Sequence, residues 1–218
     1  MIKVSYSGED SDKIKKEVLK AYDFLIDIFL LKIPNIIVRI HNDRISFDKQ
    51  LKTKTPDWCI ANASDNNEID ILSPFAMEQQ SSHRKSEFLP VLKHEFTHLF
   101  IDKLANGKVV PKWLNEGLAQ YVAKQNIKQK NQIGIEINFC KKLSTANGWY
   151  QRIDNSAYPI AALFVNFLIK KYSFMKIKEL LLSIDKKYSY PVFKNTFFGV
   201  YKIDLGEVEK LFMKEINR

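Results

Sequence analysis

Residues 86–124 read SEFLPVLKHEFTHLFIDKLANGKVVPKWLNEGLAQYVAK, and the punctuation of this stretch decides the fold. Phe88, Val91, Leu92, Phe96, Leu99, Phe100 and Leu104 recur at helical spacing. They predict one helix from Ser86, with Pro90 tolerated in the first turn and Gly107 as the stop. Pro111 then opens a second helix carrying Trp113, Leu114, Gly117, Leu118, Tyr121 and Val122 on one face. The Lys103–Val110 connection lets the two helices fold back as an antiparallel pair.

Upstream the period is different. Ile2 to Tyr6 alternates apolar and polar like a strand, and Ser7-Gly8-Glu9-Asp10 breaks it. Ile14, Val18, Leu19, Tyr22, Leu25, Ile26 and Phe29 form a helical stripe that Pro34-Asn35 ends. Ile36 to Ile40 is a β-branched run suited to a buried strand. Two further strands are expected at Trp58 to Ala63 and Glu68 to Leu72, joined through the polar turn Ser64-Asp65-Asn66-Asn67. After a less regular stretch from Gln125 to Asn155, helices are expected near 157–171, 173–186, 190–198 and 204–216. Strands first and helices after predict an α+β fold: an N-terminal lobe over 1–108 with a small mixed sheet, and a helical C-terminal lobe over 109–218.

The chain has 218 residues, 45% of them apolar and 12% aromatic, which excludes a disordered or collagen-like chain. Its two cysteines, Cys59 and Cys140, provide no disulfide framework and read as thiols. The N-terminal residues lack the apolar core of a secretory signal, from which a cytoplasmic location is expected. The longest apolar stretches, Phe24 to Leu31 and Tyr158 to Ile169, fall short of the roughly 20 residues that cross a bilayer, so no membrane span is expected. Thirty-four basic residues against 25 acidic ones leave a net charge of +9, with the lysines spread along the chain. No nucleic-acid recognition motif accompanies that charge, which argues against a nucleic-acid-binding module.

Within the first central helix stands His94-Glu95-Phe96-Thr97-His98. Residues four apart on a helix are offset by about 40° and about 6 Å of rise, so both imidazoles can lean onto one metal ion. Glu95 projects about 100° away from His94, where a carboxylate meets a metal-bound water from the side. A catalytic zinc takes three protein ligands and keeps a fourth position for water. Glu116, on the next helix, is the candidate for the third, expected on the side away from that helix's apolar stripe. His41 and His83 stand alone and read as ordinary surface or core histidines.

The pentad together with Trp113-Leu114-Asn115-Glu116-Gly117-Leu118-Ala119-Gln120-Tyr121 resembles the gluzincin metallopeptidases, the thermolysin-like enzymes, and within them the small peptidase-MA-like group. The resemblance is strong over residues 86–124. It extends upstream to PDWCIANA and NEIDIL, which look like the substrate-side strand pair, with Ala61 where a glycine is usual. Downstream, the segment from Tyr158 to Leu168 looks like the following helix. This resemblance implies a zincin-like fold with the active-site helix at a cleft between the lobes. It also implies Zn2+ held by His94, His98 and Glu116, Glu95 as general base, and Tyr158 as a donor to the substrate carbonyl. Gln120 stands where an acidic residue often orients a histidine, and Asn115 is a further candidate neighbour of the ligand.

The expected activity is peptide-bond hydrolysis, of the endopeptidase kind because no Gly-x-Met-Glu-Asn segment is present. The expected partner is a peptide or protein substrate added along the strand near Trp58 to Ala63. Two rival readings are a latent or inactive zinc-binding protein of this fold, and a membrane-surface or partner-binding role for the Lys- and Phe-rich C-terminal helices.

Overall fold

The structure is a computed structural model that describes residues 1–64, 66–125, 138–152 and 156–216. Asp65 of the expected turn, and much of the stretch from Gln125 to Asn155, lie outside the described residues. The fold is α+β, with a mixed sheet and helices in the N-terminal part and a mostly helical C-terminal part. Two compact units, Met1–Phe100 and Ile101–Arg218, make up the chain, and each is described by itself.

In the first unit the strands are β1 (Ile2–Ser5), β2 (Ile36–His41), β3 (Ala61–Ser64) and β4 (Glu68–Leu72). Their order is β1-β2-β4-β3; β1, β2 and β4 are parallel, and β3 pairs antiparallel with β4 at the edge. The period of two sends Val38, Ile40, Ile69 and Ile71 to one face, where all are buried. The opposite face carries an ionic ladder: Arg39 bridges Glu68 at 2.7 Å and Asp70 at 3.3 Å, and His41 meets Asp70 at 2.7 Å. His41 thus belongs to the sheet, as a histidine paired with a buried carboxylate.

Helix α1 (Ser11–Phe29) buries Ile14, Val18, Ala21, Tyr22, Leu25 and Phe29, close to its expected stripe, while Leu19 points outward. Leu30 ends it in the left-handed conformation, four residues before Pro34. Two helices were not expected from periodicity: α2 (Arg44–Leu51) and α3 (Pro74–Gln80). Both are too short for a pattern but carry start signals. Asp43 accepts from the Ser46 N–H at 2.7 Å, and Ser73 accepts from the Ala76 N–H at 3.2 Å, with Pro74 in first position.

Helix α4 (Phe88–Ala105) follows a 3₁₀ turn at Lys85–Glu87. Tyr22 of α1 packs on Phe96 and Phe100 with ring centroids 5.7 and 5.9 Å apart, and Phe29 stacks on Phe100 at 5.0 Å. Residues two apart on a helix differ by about 200°, so burying Phe96 and Phe100 against α1 turns His94 and His98 to the opposite side of α4. The packing of the aromatic face therefore aims the histidines. Gly107, at φ +68, stands just past the end of α4, as expected.

The second unit contains α5 (Lys112–Ala123), α6 (Phe139–Lys142), α7 (Ala146–Tyr150), α8 (Ala157–Tyr172), α9 (Phe174–Ser183), α10 (Tyr190–Tyr201) and α11 (Leu205–Ile216). Its core is aromatic. Phe164 meets Trp113 at 5.2 Å, Phe139 at 5.0 Å and Phe212 at 5.1 Å. Helix α5 crosses α8 at Gly117, where a Cβ atom would lie 2.5 Å from the Ala161 carbonyl oxygen. Only a glycine allows that approach without moving backbone. Among the described residues no helix is long and apolar enough to cross a membrane.

Glu209 of α11 is buried and accepts a hydrogen bond from the Cys140 N–H at 2.8 Å, satisfying a donor in the first turn of α6. Burial pushes the carboxyl of Glu209 above its usual 4.5, against the lowering effect of the Cys140 donors and of Lys194. The folded form then holds this proton more tightly than the unfolded chain, so the stability it contributes is complete below about pH 4.5 and is lost as pH rises through the folded value. Glu209→Gln is expected to flatten the wild-type fall of stability across that window. Urea midpoints measured from pH 4.5 upward test this, and parallel curves for the two proteins would refute it.

Candidate metal centre

Helix α4 supplies the centre. His94 and His98 stand one turn apart, their rings in an edge arrangement with centroids 4.7 Å apart and planes at 79°. One ligand atom each of His94, Glu95 and His98 lie within 4.8 Å of one another. Two nitrogens sharing a tetrahedral zinc at 2.0–2.1 Å sit about 3.3 Å apart, which side-chain rotations on this helix can reach. His94 and Glu95 are each 9% exposed, and His98 is half-buried. Among the described residues this is the group able to hold a metal ion, and it is of the zincin type.

The donor chemistry suits zinc. Two imidazoles are borderline-soft ligands, and a carboxylate directly after the first is placed beside the metal rather than a full turn away from it. Glu95 has a neighbour in the turn that leads to the edge strand: burial raises the pKa of the Cys59 thiol, and the nearby Glu95 carboxylate adds to the shift. Cys59 and Cys140 are both free thiols, as expected.

The strand expected at Trp58 to Ala63 begins only at Ala61. Pro56 to Cys59 is instead a β-turn closed by the Cys59 N–H donating to the Pro56 carbonyl at 2.9 Å. Arg44 imposes this shape. Its guanidinium donates to the carbonyls of Asp57 and Cys59 and to the Thr55 hydroxyl, taking up in the Cys59 carbonyl a group that the expected strand would have offered to its ladder. His83, which carried no assignment beyond an ordinary histidine, meets the Trp58 carbonyl with Nε2 at 3.1 Å and Glu87 with Nδ1 at 2.9 Å.

Glu116 and Tyr158 belong to the second unit. Glu116 is 4% exposed on a helix buried nearly all round, so the side of α5 away from its apolar stripe is covered as well. Lys112, one turn before it, donates to Oε1 at 2.6 Å, so the buried carboxylate has a cationic partner. The first turn of α5 is anchored from outside the helix: the Lys112 and Trp113 N–H groups donate to the Ser144 and Leu143 carbonyls, both at 3.0 Å. Gln120 is also buried, not a surface residue, while Asn115 is half-buried. Tyr158 lies in the first turn of α8 with its ring edge-on to Trp149 at 4.9 Å. Periodicity alone gave no sign that Glu116 is buried, because nine of the twelve residues of α5 are buried.

Compared with known proteins, the chain matches no protein-family model and no curated sequence.

Proposed function

We propose that this protein is a zinc-dependent metallopeptidase of the gluzincin type, acting as an endopeptidase. The observation that carries the reading is the convergence of His94, Glu95 and His98 ligand atoms within 4.8 Å on one side of a helix. The spacing from His98 to the Trp113–Tyr121 segment supports Glu116 as the third ligand. Zinc held by these residues supplies a Lewis acid that lowers the pKa of water to about 7 and polarises a carbonyl.

The chain's own residues carry the proton chemistry. Glu95, adjacent to a ligand but on a different bearing around the helix, accepts the proton of the attacking water and hands it to the departing amine. Tyr158 donates its phenol hydrogen to the oxygen that gains charge as the carbonyl is attacked. Lys112, with its side chain 33% exposed, gives the buried Glu116 carboxylate a cationic partner. Strand β3 lies at the sheet edge, and an extended peptide added there would gain main-chain hydrogen bonds with little demand on its side chains.

Cleavage of casein by the purified chain, abolished by a chelator and restored by added zinc, is the expected result. Cleavage that persists in chelator would refute the zinc reading; zinc binding without any cleavage would leave a non-catalytic metal protein.

A further inference from the structure

The turn Pro56–Cys59 is held more tightly than a surface connection needs to be. All four of its carbonyls are engaged: Pro56 by the Cys59 N–H, Asp57 and Cys59 by Arg44, and Trp58 by His83. Arg44 also donates to the Gln80 carbonyl at 3.2 Å, tying the turn to the end of α3. From this fixed backbone the Trp58 side chain projects 55% exposed. Its immediate neighbour is Cys59, the residue whose thiol lies in the field of Glu95. Ile60 then passes its carbonyl to the Leu72 N–H at 2.9 Å, and the edge strand begins.

We propose that Trp58 is a specificity-determining side chain of the peptidase, its indole packing against a large apolar or aromatic side chain of an extended peptide paired along β3. This rests on the peptidase reading and adds a substrate class to it. A rigid backbone presenting one exposed aromatic ring gives contact area at little cost in conformational freedom, because the turn is ordered before substrate arrives. Aromatic contacts of this kind distinguish large apolar from small side chains by about tenfold or more. Position supports the assignment as well: the ring stands three residues before β3, on the turn that leads into the edge strand.

The tryptophans make the test direct. Trp113 and Trp149 are fully buried, so Trp58 is the one of the three that iodide reaches. The full-length Glu95→Gln protein, loaded with zinc, is titrated with short blocked peptides that carry phenylalanine or alanine at each scanned position. Phenylalanine at one position is expected to shift the emission of Trp58 to the blue and shield it from iodide. In the otherwise wild-type enzyme, Trp58→Ala is expected to raise KM for those peptides about tenfold with kcat little changed, and to leave the alanine series within about twofold. Peptides bound and cleaved with Trp58 emission unmoved, and with the same phenylalanine preference in Trp58→Ala, would overturn this inference and leave the peptidase reading standing. Peptides that move Trp58 emission but are never cleaved would uphold it as a binding determinant and remove the hydrolase. Peptides neither bound nor cleaved would remove both.

Discussion

Glu95→Gln is expected to lower kcat by about a hundredfold or more while the protein keeps its zinc. The substitution retains the shape of the side chain and its place on α4, so the packing of Phe96 and Phe100 against α1 is undisturbed. What it removes is the ability to take a proton. An amide cannot accept the proton of the attacking water, and general base catalysis contributes on the order of 10² to 10⁴ in rate. In the proposed reading Glu95 stands beside the ligands without binding the metal, so metal content and thermal stability should match the wild type. A variant that cleaves at the wild-type rate would show that another group moves the proton; one that also loses zinc would recast Glu95 as a ligand.

His98→Ala is expected to weaken zinc binding by at least about a hundredfold and to abolish cleavage with it. Loss of a group that merely orients a ligand costs roughly 10- to 100-fold in affinity, and removing the ligand itself costs no less. The consequence is visible without any substrate. A metal that binds only the folded protein stabilises it by about 2.7 kcal/mol when present at a hundred times its dissociation constant. Added zinc should therefore raise the melting temperature of the wild type and leave His98→Ala nearly unmoved. Equal upward shifts in both proteins would place the metal elsewhere. His98 is half-buried, so the variant leaves no large cavity and should fold without metal.

Much of the fold was legible because the long elements are amphipathic. The stripe of α1, the β-branched run of β2 and the alternation of β4 each have a face that must be buried, and each was found within a residue or two of its place. The short elements failed for a physical reason. Helices α2 and α3 have eight and seven residues, too few for a period to show, and only their capping residues Asp43, Ser73 and Pro74 mark them. Trp58 was misassigned to a strand because its β propensity is real, while the force that overrides it comes from Arg44, fourteen positions earlier in the chain. No local pattern encodes that contact.

The site divides in the same way. The His94–His98 spacing is a statement about one helix, and the helix delivers it: the ligand atoms converge as the motif requires. The pairing of Glu116 with Lys112 is a contact one turn apart on α5, whereas the burial of that helix depends on tertiary packing such as Gly117 lying against Ala161. Polar residues such as Glu116 and Gln120 are buried on a helix with nine of its twelve residues covered, so burial there was not visible from the sequence pattern. The structural role of His83 depends on a carbonyl 25 positions away and could not be inferred from an isolated histidine.

The most direct test of the account is the zinc content, by elemental analysis, of the purified wild type and of Glu116→Ala. The account predicts about one zinc per chain in the wild type, lost or much weakened in the variant. A folded wild type that contains no zinc and takes up none on addition would contradict it.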